Sequence, residues 1–336
     1  MPSTRDLNQS DPLLGHAPGR ELCIDARQLL RHDPVQREKL VSQVRRACLD
    51  TGFFYVSNAF ADNPAFSNVL LQMQRFFSLP DSDPRKIAVD NRRKEGSYGW
   101  MPMFGEPAYQ PGTRAHVESF DCGLGGDAHS TKALEGRNVW PDLPGFRDNI
   151  GALWNSLAAL AGALLEILAE AADLQRDFFS SRCSTRELST LRLLHYPGGH
   201  CEDRLRDVGI AAHTDFECIS LLLQTCSGLE LTDVNGQWYE APARPDQVIV
   251  LLDDMLERWT NGYFRATGHR VRRTTVPRYS IVLFVAVNAN QVVAPLEPFV
   301  SSGNPARFGP VTQRQHIDAE VRRSEAYRTE TFAGNR

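Results

Sequence analysis

His213 and Asp215 stand two residues apart in the segment Gly209-Ile-Ala-Ala-His-Thr-Asp-Phe-Glu-Cys-Ile-Ser220. In an extended strand, residues i and i+2 project from the same face, so an imidazole and a carboxylate address one cavity. His269, in Arg265-Ala-Thr-Gly-His-Arg-Val271, offers a second imidazole. Two histidines and a carboxylate on one face of a metal leave three positions open, the facial arrangement that suits Fe(II) with O2 and a co-substrate. Arg278 and Ser280 follow, again an i, i+2 pair. A guanidinium fork beside a hydroxyl suits a carboxylate, and the distal carboxylate of 2-oxoglutarate fits that demand. Each pair alone is common. Their conjunction, in segments that read as strands, predicts Fe(II) at His213, Asp215 and His269 and 2-oxoglutarate at Arg278 and Ser280.

These residues need strands to carry them, and the second half of the chain supplies the pattern. Short β-rich runs cover Thr190–Tyr196, Ile219–Gln224, Leu229–Thr232, Gln247–Leu252 and Tyr279–Val287, separated by turn residues such as Pro197-Gly-Gly199 and Asn235-Gly236. Such spacing predicts an antiparallel barrel or sandwich. The first half reads differently. Glu21–Ala26 is a short strand, and Asp33 and Pro34 open a helix to Asp50 as N-cap and first residue. Phe53–Val56 is an aromatic, β-branched strand, and Asn63–Phe77 a second helix. Residues 81–142 read as loop-rich, and a long helix spans Gly145–Ala172 with a leucine face. Val311–Tyr327 reads as a terminal helix, and residues 1–20 as a loose polar arm. The whole is expected to be one integrated α+β unit.

Composition narrows the function classes. The chain has 336 residues, 42% hydrophobic and 23% charged, with a formal net charge of −4. That balance argues against a phosphate-binding surface and hence against nucleic acid. The most apolar stretch, Ile150–Ala172, is interrupted by Asn155, Glu166 and Glu170 and reads as a buried helix rather than a membrane span. No secretory leader is evident at the N-terminus. The seven cysteines form no CxxC pair, so reduced thiols in a cytoplasmic protein, acting on a small molecule as a monomer, are the expectation.

At the metal and carboxylate motifs the chain resembles the isopenicillin N synthase-like family of 2-oxoglutarate/Fe(II) dioxygenases. Asp50-Thr-Gly-Phe-Phe-Tyr-Val-Ser-Asn58 is similar to the family's GFFYVxNH segment, with Ala59 where a histidine is usual. Phe76-Phe-Ser-Leu-Pro80 matches FFxLP, Asn138-Val-Trp-Pro141 matches NxWP, and Asp254–Gly262 matches the run before the second histidine. The resemblance covers about residues 20 to 330. It implies a double-stranded β-helix (jelly-roll) core over residues 186–290, an N-terminal region over 20–145 and a C-terminal helical extension over 291–336. It also implies Fe(II), 2-oxoglutarate and O2 as the reacting set, with succinate and CO2 released while a C–H bond is hydroxylated, desaturated or used for cyclisation. By the same resemblance Tyr196 assists at the co-substrate, and a substrate from specialised natural-product metabolism is expected. The family commonly has asparagine at Leu194, glycine at Asp253 and proline at Gly268.

Arg192 alternates with Leu194 and Tyr196 on one strand and is read as a clamp for a substrate carboxylate. Phe216 is read as a pocket wall. The Gly96–Met103 loop, with Tyr98, and Phe104 are read as a lid. Two other functions fit the motifs: an Fe(II) oxidase that takes all electrons from its substrate or from ascorbate, and a non-catalytic metal- or ligand-binding jelly roll.

Overall fold

The computed structural model describes residues 21–30, 33–61, 63–93, 98–106, 109–123, 137–199 and 207–333. The expected arm over residues 1–20, Gly96 and Ser97 of the expected lid, and Cys201 lie outside the described residues.

Twelve strands build two facing sheets. They are β1 (Cys23–Asp25), β2 (Phe53–Ser57), β3 (Gly99–Met101), β4 (Glu118–Gly123), β5 (Thr190–Tyr196), β6 (Ile210–His213), β7 (Ile219–Gln224), β8 (Leu229–Thr232), β9 (Trp238–Glu240), β10 (Val248–Leu252), β11 (His269–Val271) and β12 (Arg278–Val285). The large sheet runs β1-β2-β10-β7-β12-β5-β4-β3, and the small sheet β9-β8-β11-β6. Apart from the parallel β1–β2 pair, neighbours are antiparallel. This is the jelly roll flanked by helices, an α+β fold.

The period-2 alternation of the central strands sorts their side chains between two cores. Leu191, Leu193, Leu221, Leu223, Ile281 and Leu283 pack on the helices. Leu194, Tyr196, Leu222 and Val282 face the small sheet's Ile210, Leu229, Leu231 and Val271. Burying each such aliphatic side chain contributes about 1.5–3 kcal/mol.

Three helices cover the outer face: α1 (Pro34–Asp50), α2 (Ala65–Phe77) and α3 (Phe146–Ala171). The Asp33 carboxylate caps α1 by accepting from Val35 N at 3.0 Å. The apolar α3 buries Ile150, Leu153, Leu157, Leu164 and Leu168 in this layer. By length and composition it could cross a membrane, but it is the core helix of this layer. A short α4 (Asp254–Trp259) follows β10, and α5 (Gln313–Ala333) ends the described chain.

The loop expected over 81–142 is overturned in part: β3 and β4 lie inside it and extend the large sheet. Glu118, Ser119 and Asp121 broke the apolar pattern that would have marked β4, yet all six of its residues are buried. Each acid has a partner. Lys86 Nζ lies 2.9 Å from Glu118, Trp100 Nε1 donates to it at 2.8 Å, and His195 Nδ1 lies 2.8 Å from its other oxygen. Arg192 pairs with Asp121. Gly99, at φ +135°, opens β3 where a Cβ would sit 2.3 Å from the Val89 carbonyl oxygen.

Candidate functional site

Between the sheets, β6 and β11 lie side by side with His213 directly opposite His269. β6 ends at His213, so Asp215 is not on the strand as expected. It lies in the bend that carries the chain from the small sheet to the large one, held where Asp254 N donates to its carbonyl at 3.1 Å. The three residues still converge: Asp215 Oδ1 lies 3.6 Å from His213 Nε2 and 3.5 Å from His269 Nε2. All three candidate ligand atoms fall within 4.8 Å of one another.

The tautomers follow from chemistry. His213 Nδ1 is 2.8 Å from the Ala211 carbonyl, and His269 Nδ1 is 3.1 Å from that of Thr267. A carbonyl only accepts, so each Nδ1 carries the hydrogen and each Nε2 turns a lone pair toward the shared centre. Burial, then the neighbouring His269, holds His213 well below the usual histidine range, so it stays neutral and able to ligate. Tyr109 stacks flat on His213, with centroids 4.0 Å apart and planes 6° apart. On the far side of the carboxylate, Ser220 Oγ is 2.7 Å from Asp215 Oδ2 and 2.9 Å from Asp253 Oδ2.

Arg278 and Ser280 share the interior face of β12 with Tyr196 opposite Arg278 on β5. Arg278 is fully buried. Its Nη2 donates to Gln224 Oε1 at 2.8 Å, its Nε to the Cys226 carbonyl at 3.3 Å, and its plane lies over the Tyr196 ring at 4.7 Å. Arg278 Nη1 and Tyr196 Oη are buried without a well-formed hydrogen bond, and among the described residues Arg278 pairs with no carboxylate. Burial pushes the Tyr196 phenol up to about 12. The Ser280 hydroxyl donates to the Leu223 carbonyl at 3.0 Å. A buried cation with an orphaned donor and no counter-ion calls for an anion, which is what a 2-oxoglutarate carboxylate would provide. A metal fits the His–Asp–His cluster on equally direct grounds, since its donors are pre-oriented.

The expected substrate residues divide. Arg192 is on the interior face, but its guanidinium is taken: Nε and Nη2 donate to Asp121 at 2.8 and 2.7 Å, and Nη1 to Glu106 at 3.1 Å. The clamp for a substrate carboxylate is therefore corrected, because two acids of the chain already compensate the charge. Phe216 stands edge-on to Tyr109 at 6.4 Å. From behind, Gln313 of α5 donates to the Phe216 carbonyl at 2.8 Å, accepts from Val287 N at 3.0 Å, and His316 meets the Phe216 ring edge-on at 6.1 Å. Phe104, at φ +62°, packs on His116 and under Arg114 at the rim. Tyr98 is buried against Gly123.

Sequence reasoning missed Glu106 and Tyr109, which sit in a loop with no period, and Asp121. Ser220 and Gln224 were missed as well, although the alternation of β7 puts them on one face with Leu222.

The known proteins that the chain resembles fall in one superfamily. The profile of the 2OG-Fe(II) oxygenase superfamily matches residues 188–287, and that of the non-haem dioxygenase in morphine synthesis N-terminal region matches 23–143. A 2-oxoglutarate-Fe(II) type oxidoreductase of Aspergillus fumigatus is 31% identical over 87% of this chain and 89% of its own length. A 2-oxoglutarate-dependent dioxygenase of Monascus ruber is 32% identical over 77% and 82%. The solved structure of a 2OG-Fe(II) oxygenase family protein from Caulobacter crescentus is similar at a TM-score of 0.77 and 28% identity, over 90% of this chain and 99% of that one.

Proposed function

The chain belongs to the 2-oxoglutarate/Fe(II) oxygenase superfamily, and from that premise we propose that His213, Asp215 and His269 hold the Fe(II) while Arg278, Ser280 and Tyr196 hold the distal carboxylate of 2-oxoglutarate. The enzyme uses Fe(II), 2-oxoglutarate and O2 to oxidise a small molecule. The balance is R–H + 2-oxoglutarate + O2 → R–OH + succinate + CO2, with one oxygen atom going to the substrate and one to succinate. Desaturation or cyclisation would consume the same equivalents and release water.

The observation that carries the residue assignment is the buried Arg278, uncompensated and with an orphaned donor, in the same interior as the His–Asp–His cluster. When bound, the Fe(II) supplies the open positions at which the co-substrate and O2 meet. The residues do the rest. The Ala211 and Thr267 carbonyls fix both imidazoles in the ligating tautomer, and Ser220 fixes the Asp215 carboxylate. Tyr109 covers one face of His213 and keeps water from it. Arg278 neutralises a carboxylate at the end of the pocket defined by Tyr196 and Gln224.

For the substrate, a specialised metabolite is our reading, supported by the morphine-synthesis description of the N-terminal profile, and we propose that the protein acts as a monomer. Anaerobic mixing with Fe(II) and 2-oxoglutarate should give a metal-to-ligand charge-transfer band, and succinate should form one-to-one with product. A band that never develops would sink the residue assignment. Product without succinate would favour the oxidase that takes all electrons from its substrate.

A further inference from the structure

Three residues from three segments meet on the substrate side of the site: Arg192 of β5, Asp121 of β4 and Glu106 of the loop after β3. Arg192 and Asp121 are directly opposed in the sheet register, two positions along from Leu194 and Ser119 and so on the same face. Arg192 shares one face of β5 with Leu194 and Tyr196, and the Tyr196 ring lies under the Arg278 guanidinium at 4.7 Å, so the cluster adjoins the co-substrate end of the interior.

A guanidinium has five N–H hydrogens. Asp121 takes two of them and Glu106 takes one, leaving two, one on Nη1 and one on Nη2, without a partner among the described residues. The Arg192 side chain is the most accessible of the three, at 20% against 12% for Asp121 and 4% for Glu106. Its guanidinium lies over the Phe284 ring at 5.7 Å. Among the described residues, Arg192 and Arg278 are the two cations on the interior face of the large sheet. One faces the co-substrate end, and the other is neutralised by Asp121 alone, before Glu106 is counted.

We propose that Arg192 is the specificity-determining residue of this enzyme, acting as a charge-compensated donor of two N–H bonds to an uncharged carbonyl-type oxygen of the substrate (amide, lactone or ketone) and excluding carboxylates. This rests on the function proposed above. A substrate carboxylate reaching the same two hydrogens would add a third acid beside Asp121 and Glu106 around a single cation. A neutral carbonyl uses the two hydrogens without adding charge. Phe216, Phe284, Leu222 and Val282 give it apolar walls.

The test is equilibrium dialysis of the anaerobic Fe(II)–2-oxoglutarate protein with matched probes, bicyclic aromatic amides such as 2-naphthamide against the corresponding acids such as 2-naphthoate. The wild type should bind amides at least about tenfold more tightly than acids, the ratio set by a hydrogen bond to a charged group. Glu106→Gln removes one compensating charge and should shift that ratio toward the acids by about tenfold or more. Asp121→Asn should shift it the same way, and serves should Glu106→Gln fail to fold. Acids bound as well as amides by the wild type, no amide bound at all, or a ratio unmoved in the folded variants would each overturn the proposal. The charge-transfer band, recorded before any probe is added, separates the two readings: its absence faults the metal and co-substrate assignment, whereas a normal band with the wrong probe preference faults the role of Arg192.

Discussion

Ser220 joins a candidate metal ligand to a buried acid, and replacing it with alanine gives a sharp expectation. Its oxygen lies 2.7 Å from Asp215 Oδ2 and 2.9 Å from Asp253 Oδ2. A hydroxyl has one hydrogen to give, so it cannot donate to both carboxylates. The consistent arrangement is a chain: the Asp253 carboxyl donates to Ser220, and Ser220 donates to Asp215 Oδ2. Burial first, then the Asp215 and Glu217 charges, holds Asp253 well above the usual carboxylate range, which agrees with that assignment. Ser220→Ala removes a hydrogen bond to a charged acceptor, about 1.5–3 kcal/mol. That corresponds to roughly a 10–100-fold loss of Fe(II) affinity, the usual range for a lost outer partner of a metal ligand. Asp253→Asn keeps an N–H donor in the place of the acid proton and should change affinity by less than about threefold. Anaerobic Fe(II) titration, read on the charge-transfer band with 2-oxoglutarate saturating, measures both. Wild-type affinity in Ser220→Ala would refute the chain, as would an equal loss in Asp253→Asn.

Three further outcomes follow from the same contacts. Arg278→Ala should raise the 2-oxoglutarate concentration for half-maximal succinate formation by at least about 30-fold while leaving Fe(II) affinity near wild type, because the cation is buried and contacts no ligand of the metal. Lys86→Met should lower stability by about 3 kcal/mol in denaturant unfolding, since it leaves the buried Glu118 without its cation. Burial pushes Glu118 up, but His195, Lys86 and Trp100 outweigh it and hold the carboxyl below its ordinary value of 4.5. The stability this contributes is complete above that unfolded-state value and drains away as pH falls through the lower folded-state one, so Glu118→Gln should flatten the acid limb of a stability-against-pH curve.

What the sequence made legible was whatever obeys a short period. The pairs Arg278/Ser280 and Arg192/Tyr196 project together because β12 and β5 are regular, and His213 with Asp215 came close to the expected geometry even though β6 stops one step earlier. The β4 strand was hidden because its inward and outward positions carry acids, and a strand of acids looks like a loop until Lys86 and Arg192 are seen beside them. The direction of Arg192 could be read, but its occupation could not, since Asp121 and Glu106 lie 71 and 86 residues away. Tyr109 and Glu106 carry no pattern at all; only the fold of the loop puts one on His213 and the other on Arg192.

Gln313 holds the Phe216 carbonyl with one end of its amide and the Val287 amide with the other, so a residue from the last helix sets the wall next to the metal cluster. The segment that backs the pocket wall is thereby far along the chain from the residues that hold the metal. A change at Gln313 would move Phe216 while His213, Asp215 and His269 keep their own partners.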